Sequence, residues 1–252
     1  MLPRFVMRTV NIGQIGGGTV GCGVVQALRR NGALMASRLG VRLRVSRIAV
    51  RSPRKKRPVK LPKAALTSNW KGVVNDPKID LVVELIGGIT TAKEVVIAAL
   101  RAGKPVVTAN KALLAFHGER LFAAADKYGA NLYYEASVAG GVPIIKVLRE
   151  ALVGNRVTRL YGILNGTCNF ILTKMGEGMD FEAALKIAQA QGYAEADPSL
   201  DVDGHDAAHK VGILASLAHG FWVKPEKVYT EGIRQVAPLD LQFAGKLGHA
   251  IK

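Results

Sequence analysis

The sequence predicts an α/β fold: a parallel sheet with helices on both faces, followed by a second, α+β domain. Three observations carry this. Short apolar runs alternate with segments of helical apolar spacing up to about residue 138, the pattern of βα units that lays strands side by side in one direction. Three glycines in GxGxxG spacing, Gly16, Gly18 and Gly21, stand between the first apolar run and the first helical one. After Pro143 the regular alternation stops and longer helical stretches take over. The boundary is therefore placed near Tyr134–Gly141, giving domains of 1–138 and 139–252.

Each element follows from its local pattern. TVNIGQI (9–15) reads as a buried strand. GCGVVQALRRNGAL (21–34) has apolar residues at helical spacing and ends in Asn31-Gly32, a stop signal. LRVSRIAV (43–50), DLVVELI (80–86) and PVVTAN (105–110) read as the next three strands. AKEVVIAALRAGK (92–104) is an amphipathic helix, GERLFAAADKYG (118–129) another helix, and NLYYEASV (131–138) a further strand. In the second domain PIIKVLREALVG (143–154) reads as helix and RVTRLYGIL (156–164) as strand. FEAALKIAQAQGY (181–193) and HDAAHKVGILASLAHG (205–220) read as helices.

The 252 residues, 49% of them hydrophobic, suffice for two ordinary domains with real cores. Runs such as LVVELI fall far short of the roughly 18 apolar residues that span a bilayer, so no membrane role is expected. MLPRFVMRTV leads straight into a strand without a long apolar h-region or cleavage site, so no secretory signal is expected. Cys22 and Cys168 form no CxxC pair, which suits a reducing, cytoplasmic compartment. The net charge of +16 is uneven: residues 1–75 hold 16 Lys and Arg and no acid, the first acid being Asp76. The excess is densest in RSPRKKRPVK (51–60). Such a run serves as a solvated loop, a site for a phosphorylated small ligand, or a nucleic-acid contact. No aromatic residue interleaves it and no nucleic-acid fold signature accompanies it, so nucleic acid is the least favoured of the three.

The glycine cluster has a mechanism. The first glycine allows a tight turn, the second lets backbone approach a pyrophosphate, and the third lets helix pack on strand. Amides at the helix start then meet the phosphate charge. Gly16, Gly18, Thr19, Val20 and Gly21 are accordingly the dinucleotide-binding candidates. The second strand ends IAVRSPRKKR, with Arg51 where an NAD-selective acid would sit. A ribose 2′-phosphate fits that setting better than a free hydroxyl, so Arg51, with Lys55, Lys56 or Arg57 as further candidates, favours NADP over NAD. The alternative is a basic loop in which only Arg51 touches the cofactor.

In GHDAAHK (204–210), Asp206 and Lys210 are four apart and share a helical face. A surface ion pair would look the same, but the apolar VGILASLA that follows suggests burial, where a lysine can exchange protons. His205 and His209 share the spacing without a third histidine or an HExxH pattern, which disfavours a catalytic metal.

Together GGGTVG (16–21), TANKALLAFHG (108–118), YEASVAGGVPII (134–145), LNGTCNFIL (164–172), GYAEADPSLDVDGHDAAHK (192–210) and GILASLA (212–218) resemble homoserine dehydrogenase. The resemblance implies a Rossmann-type dinucleotide-binding domain followed by a catalytic and dimerisation domain. It implies interconversion of L-homoserine and L-aspartate 4-semialdehyde with NADP or NAD, in threonine, methionine and isoleucine biosynthesis, by a homodimer. It places Lys111 of TANKALLA beside the nicotinamide and the reacting oxygen. It makes Gly166, Thr167, Tyr193, Glu195, Asp201, Asp206 and Lys210 substrate positions, with Glu195 on the α-ammonium group. Lys210 matches the family's proton donor, with Asp206 orienting it and Lys111 assisting. YEASVAGGV matches a segment holding a structural monovalent cation, usually sodium, through Glu135, Val138, Gly140 and Val142; hard oxygen donors suit such an ion. The family's pattern runs on past FAGKLGHAIK (243–252), so the chain is expected to stop before a return segment and any regulatory ACT domain.

Three other readings compete. A semialdehyde dehydrogenase of the acyl-enzyme type would need Cys168 as nucleophile. A non-catalytic NADP-binding module would keep the fold without turnover. Nucleic-acid binding by the basic part would show steep salt dependence.

Overall fold

A computed structural model describes residues 7–252; the opening MLPRFV, part of the stretch judged to lack a secretory signal, lies outside the described residues. The chain forms two compact units, one ending at Ile144 and the other spanning Ile145–Lys252.

The first unit is a six-stranded, wholly parallel sheet. In chain order its elements are β1 (Thr9–Ile15), α1 (Thr19–Leu39), β2 (Arg42–Ala49), β3 (Leu66–Thr67), α2 (Trp70–Val74), β4 (Leu81–Glu84), α3 (Thr90–Arg101), β5 (Val106–Thr108), α4 (Lys111–Tyr128) and β6 (Leu132–Tyr133). The strand order β3-β2-β1-β4-β5-β6 reverses direction between β1 and β4. Val82, Val95, Val96, Leu100, Val106, Leu113, Leu114 and Leu121 are fully buried between sheet and helices. Removing this apolar surface from water is the main driving force for the layered arrangement.

Three boundaries differ from the sequence expectation. α1 runs straight through Asn31-Gly32 and ends at Gly40, which takes the left-handed cap (φ 69°). Gly within a helix costs about 1 kcal/mol against Ala; the partly buried Leu28, Met35 and Ala36 continue the inner face and outweigh it. α4 begins at Lys111 rather than near Gly118, because Asn110 caps it by accepting from the Leu113 amide at 3.0 Å. β6 stops at Tyr133, and Glu135–Ser137 turn into a 3-10 helix.

α5 (Ile144–Lys146) lies at the junction and passes into a π-helical turn over Val147–Ala151. In the second unit α6 (Gly166–Gly176), α7 (Phe181–Ala190), α8 (Ser199–Val202), α9 (His205–His219) and α10 (Pro238–Lys246) follow. Ile171, Leu172, Met175, Ala184, Ala188 and Val202 form its core, covered by Phe170, Phe181, Ile233 and Leu241. RVTRLYGIL, expected as a strand, carries no strand in the described structure, and Tyr161 is 88% exposed. Strand propensity alone does not make a strand; the backbone groups must find a ladder partner, and here they do not. Among the described residues no helix is long and apolar enough to cross a membrane.

Candidate active site

β1 delivers Gly16 where the strand order reverses, the crevice in which open α/β sheets hold ligands. Gly16 has φ +115°, and a Cβ there would meet the Leu85 carbonyl oxygen at 2.4 Å. A Cβ on Gly21 would meet the Gly16 carbonyl oxygen at 2.5 Å, whereas one on Gly18 would meet nothing within 4 Å. The glycines thus provide the turn, the close packing of helix on strand, and an open approach between them. Gln14 is fully buried beneath and braces the turn: its Nε2 donates to Gly16 O at 2.7 Å and to Gly21 O at 3.0 Å. Gly18 caps α1 without a side-chain bond, so the amides around Thr19 and Val20 keep their partial positive charge for a ligand. A cradle closed at Gly16 and Gly21 and open at Gly18 fits a dinucleotide pyrophosphate.

A second set of groups lies at the same carboxyl edge of the sheet. Glu84, fully buried at the end of β4, accepts from Thr108 Oγ1 at 2.6 Å and from the Ile86 amide at 2.9 Å. The Asn110 amide donates to Thr108 Oγ1 at 3.0 Å, and its Nδ2 donates to Gly88 O at 2.7 Å. This chain of bonds fixes the start of α4 and with it Lys111, the first helical residue, half-buried at the strand end. Glu84 and Asn110 escaped the sequence reading. Asn110 carried a readable signal, an N-cap residue at the foot of a helix.

Arg51 lies two residues beyond β2 and is exposed, as are Arg54, Lys55 and Lys56. Arg57 differs: its guanidinium is engaged by backbone carbonyls, including Gly17 O at 3.1 Å. Of the basic residues put forward from sequence, Arg51, Lys55 and Lys56 therefore have exposed side chains, and Arg57 has a structural engagement.

In the second unit the acid-rich stretch folds around a lysine. Lys210 Nζ lies 2.6 Å from Asp206 Oδ2 and donates to Leu164 O at 2.7 Å. Asp206 is 2% exposed and Lys210 17%, so this is a largely buried pair and not the exposed i,i+4 bridge that spacing alone allowed. Asn165 ties the cluster together. Its Nδ2 donates to Asp201 Oδ1 at 2.7 Å and to Asp206 Oδ2 at 2.9 Å, while its Oδ1 caps α6 by accepting from the Cys168 amide at 2.7 Å. It stands beside Gly166 in the quoted motif, and its cap signal was legible; its bonds to carboxylates 36 and 41 residues away were not.

The remaining predicted substrate positions lie in the same unit. Gly166 opens α6 and is exposed; the Thr167 hydroxyl donates to Tyr193 O at 2.7 Å. The Tyr193 ring packs on Phe170 with centroids 5.1 Å apart. Glu195 is exposed on the loop after α7. Cys168 donates its thiol to Asp201 O at 3.1 Å. Burial first, and then the carboxylates of Asp201, Asp206 and Asp203, push that thiol up to about 11, the opposite of an activated nucleophile.

The segment matched to a cation site follows β6. Glu135 lies in the 3-10 turn, Val138 is fully buried, and Gly140 and Val142 are exposed. Ala139 has φ 48° and Gly141 φ 92°, so the backbone turns sharply there. The Val142 carbonyl already accepts from the Ile144 amide at 2.8 Å, which leaves its second lone pair for an ion.

Comparison with known proteins agrees with both units. The model of the homoserine dehydrogenase NAD-binding domain matches residues 16–135, and the model of homoserine dehydrogenase matches residues 143–252. The homoserine dehydrogenase of Pseudomonas aeruginosa is 49% identical over 98% of this chain and 56% of its own length. A homoserine dehydrogenase structure from Thiobacillus denitrificans superposes with TM-score 0.89 at 48% identity, over 98% of this chain and 57% of that one. A hyperthermophilic archaeal homoserine dehydrogenase in complex with NADPH gives TM-score 0.77 at 30% identity, over 90% of this chain and 75% of that one. The chain spans just over half the length of the curated relatives it matches. With two matching domain models, high identity and a shared fold, the chain belongs to the homoserine dehydrogenase family.

Proposed function

We propose that this chain carries the NADP-preferring homoserine dehydrogenase reaction, interconverting L-homoserine and L-aspartate 4-semialdehyde in the synthesis of threonine, methionine and isoleucine. The observation that carries the reading is the Asp206–Lys210 pair at 2.6 Å, held by Asn165 and Leu164 O. When bound, a nicotinamide supplies the hydride acceptor or donor. Lys210 takes the hydroxyl proton as hydride leaves the same carbon, and returns a proton to the developing alkoxide in the reverse direction. Such acid–base assistance contributes about 10²- to 10⁴-fold in rate. Asp206 fixes the lysine, and Lys111 assists from the edge of the nucleotide site. Glu195, Asp201, Tyr193, Thr167 and Gly166 bind the amino acid, Glu195 taking its ammonium group.

Support for NADP comes from Arg51, exposed at the end of β2 with no acid in the preceding 50 residues, and from the archaeal relative's NADPH complex. Glu135, Val138, Gly140 and Val142 are proposed to hold a sodium ion, and a homodimer is proposed from the resemblance. Free thiols at Cys22 and Cys168 support a cytoplasmic setting. The acyl-enzyme alternative loses its support at Cys168, whose thiol is held protonated. The test is spectrophotometric: purified chain, NADP or NAD, and L-homoserine, following the reduced cofactor. Homoserine-dependent reduction, faster with NADP, is expected. Dinucleotide binding without reduction would favour the non-catalytic module.

A further inference from the structure

We infer that Arg57 is a positioning residue for the dinucleotide, tying the basic loop after β2 to the glycine turn after β1. The inference rests on the cofactor reading above and adds a residue to it. The Arg57 guanidinium donates to four backbone carbonyls: Ser52 O at 2.7 Å, Lys55 O at 2.7 Å, Pro53 O at 3.2 Å and Gly17 O at 3.1 Å. An arginine has five N–H donors, so this one keeps a single N–H and cannot fork onto a phosphate. Its neighbours Arg54, Lys55 and Lys56 are exposed, whereas Arg57 is half-buried. The approach to Gly17 is tight: a Cβ there would lie 3.2 Å from Arg57 Nε and 2.7 Å from Val50 Cγ1.

The bond to Gly17 O has a directional consequence. In a trans peptide the carbonyl and the following N–H point opposite ways. Holding Gly17 O toward the loop therefore turns the Gly18 N–H away from the loop. The same guanidinium shapes the loop that begins at Arg51. The Gly17 carbonyl also accepts from the Cys22 thiol at 3.6 Å, within the turn; Arg57 is the side chain that links that peptide to the loop offered to the ribose phosphate. A lysine, with one ammonium and no planar fork, cannot replace it.

The test measures NADPH and NADH affinity by fluorescence titration of the full chain as wild type, Arg51→Ala, Arg57→Ala and Arg57→Lys. Arg51→Ala is expected to weaken NADPH by roughly tenfold, the loss of one charge-assisted contact, and to leave NADH unchanged. Both Arg57 variants are expected to weaken NADPH and NADH alike, since the pyrophosphate turn serves both. NADH affinity unchanged in Arg57→Lys would overturn the inference: a loss for NADPH alone would make Arg57 a direct 2′-phosphate ligand, and no loss would make it a purely structural brace. Hydrogen exchange without nucleotide supplies a second readout. Residues 16–18 and 51–57 should both lose protection in Arg57→Lys, and protection lost in the loop only would likewise overturn the inference. Wild-type chain that binds neither nucleotide would sink the cofactor reading itself, while the exchange readout still reports on the link.

Discussion

The two units build their candidate sites by opposite means. In the first, backbone does the work: Gly16 with φ +115°, Gly21 packed against Gly16, and an uncapped helix start form a cradle almost without functional side chains. In the second, side chains do it: Asn165 reaches Asp201 and Asp206, and Asp206 reaches Lys210, across up to 41 residues of chain. A backbone site is rigid and sensitive to an added carbon where it is closed, at Gly16 and Gly21. A side-chain network is sensitive to the identity of each donor and acceptor. Nucleotide affinity should therefore be most sensitive to substitutions at the closed glycines, beyond the contributions of Arg51 and Arg57, and turnover to polar substitutions in the second unit.

Lys210→Ala tests the side-chain half most severely: kcat for homoserine oxidation should fall by about 10²- to 10⁴-fold. Gly16→Val tests the backbone half. A non-glycine residue in this conformation costs roughly 1–3 kcal/mol, and its Cβ would strike Leu85 O, so NADPH binding should be lost and Tm should fall. Asn165 sharpens the comparison because it serves both stability and the network. Asn165→Ala should cost about 0.5–2 kcal/mol through the α6 cap alone, read by denaturant unfolding. Asn165→Ser keeps a capping hydroxyl but not the amide donors to Asp201 and Asp206. Its stability should recover toward wild type while kcat stays depressed.

Smaller effects follow at Cys168 and Arg234. The Cys168 thiol sits above its ordinary value of 9.0, at about 11, so its contribution to stability is present below about pH 9 and is lost as pH rises toward 11. Iodoacetamide should label the native Cys168 very slowly at neutral pH, and Cys168→Ser should retain turnover; rapid labelling would reopen the nucleophile reading. Arg234 forms an exposed fork on Asp203, donating from Nε at 2.5 Å and from Nη2 at 3.2 Å, and it holds that carboxyl below its usual range. A carboxyl with a lowered folded value stabilises at neutral pH and loses that contribution as pH falls through it. Arg234→Ala should leave Tm nearly unchanged at neutral pH and shrink the difference further in acid.

The same contrast explains what the sequence made legible. Short apolar runs and helical apolar spacing located the main strands and the long helices of the first unit, and GxGxxG marked its glycine turn, because local backbone demands write themselves into neighbouring residues. Boundaries failed where a cap or packing overrode a local signal, as at Asn31-Gly32 and at Asn110. RVTRLYGIL failed because a strand depends on a partner that local sequence cannot announce. In the second unit the motif marked Asp206 and Lys210, but Asn165 as the hub, and Glu84 and Asn110 behind Lys111, depended on contacts between distant segments.

The most direct test of this division of labour is NADPH affinity measured on the Lys210→Ala chain beside wild type. The account predicts unchanged NADPH binding in a protein whose homoserine-dependent turnover has collapsed. Affinity that falls in step with turnover, or turnover that survives, would contradict it.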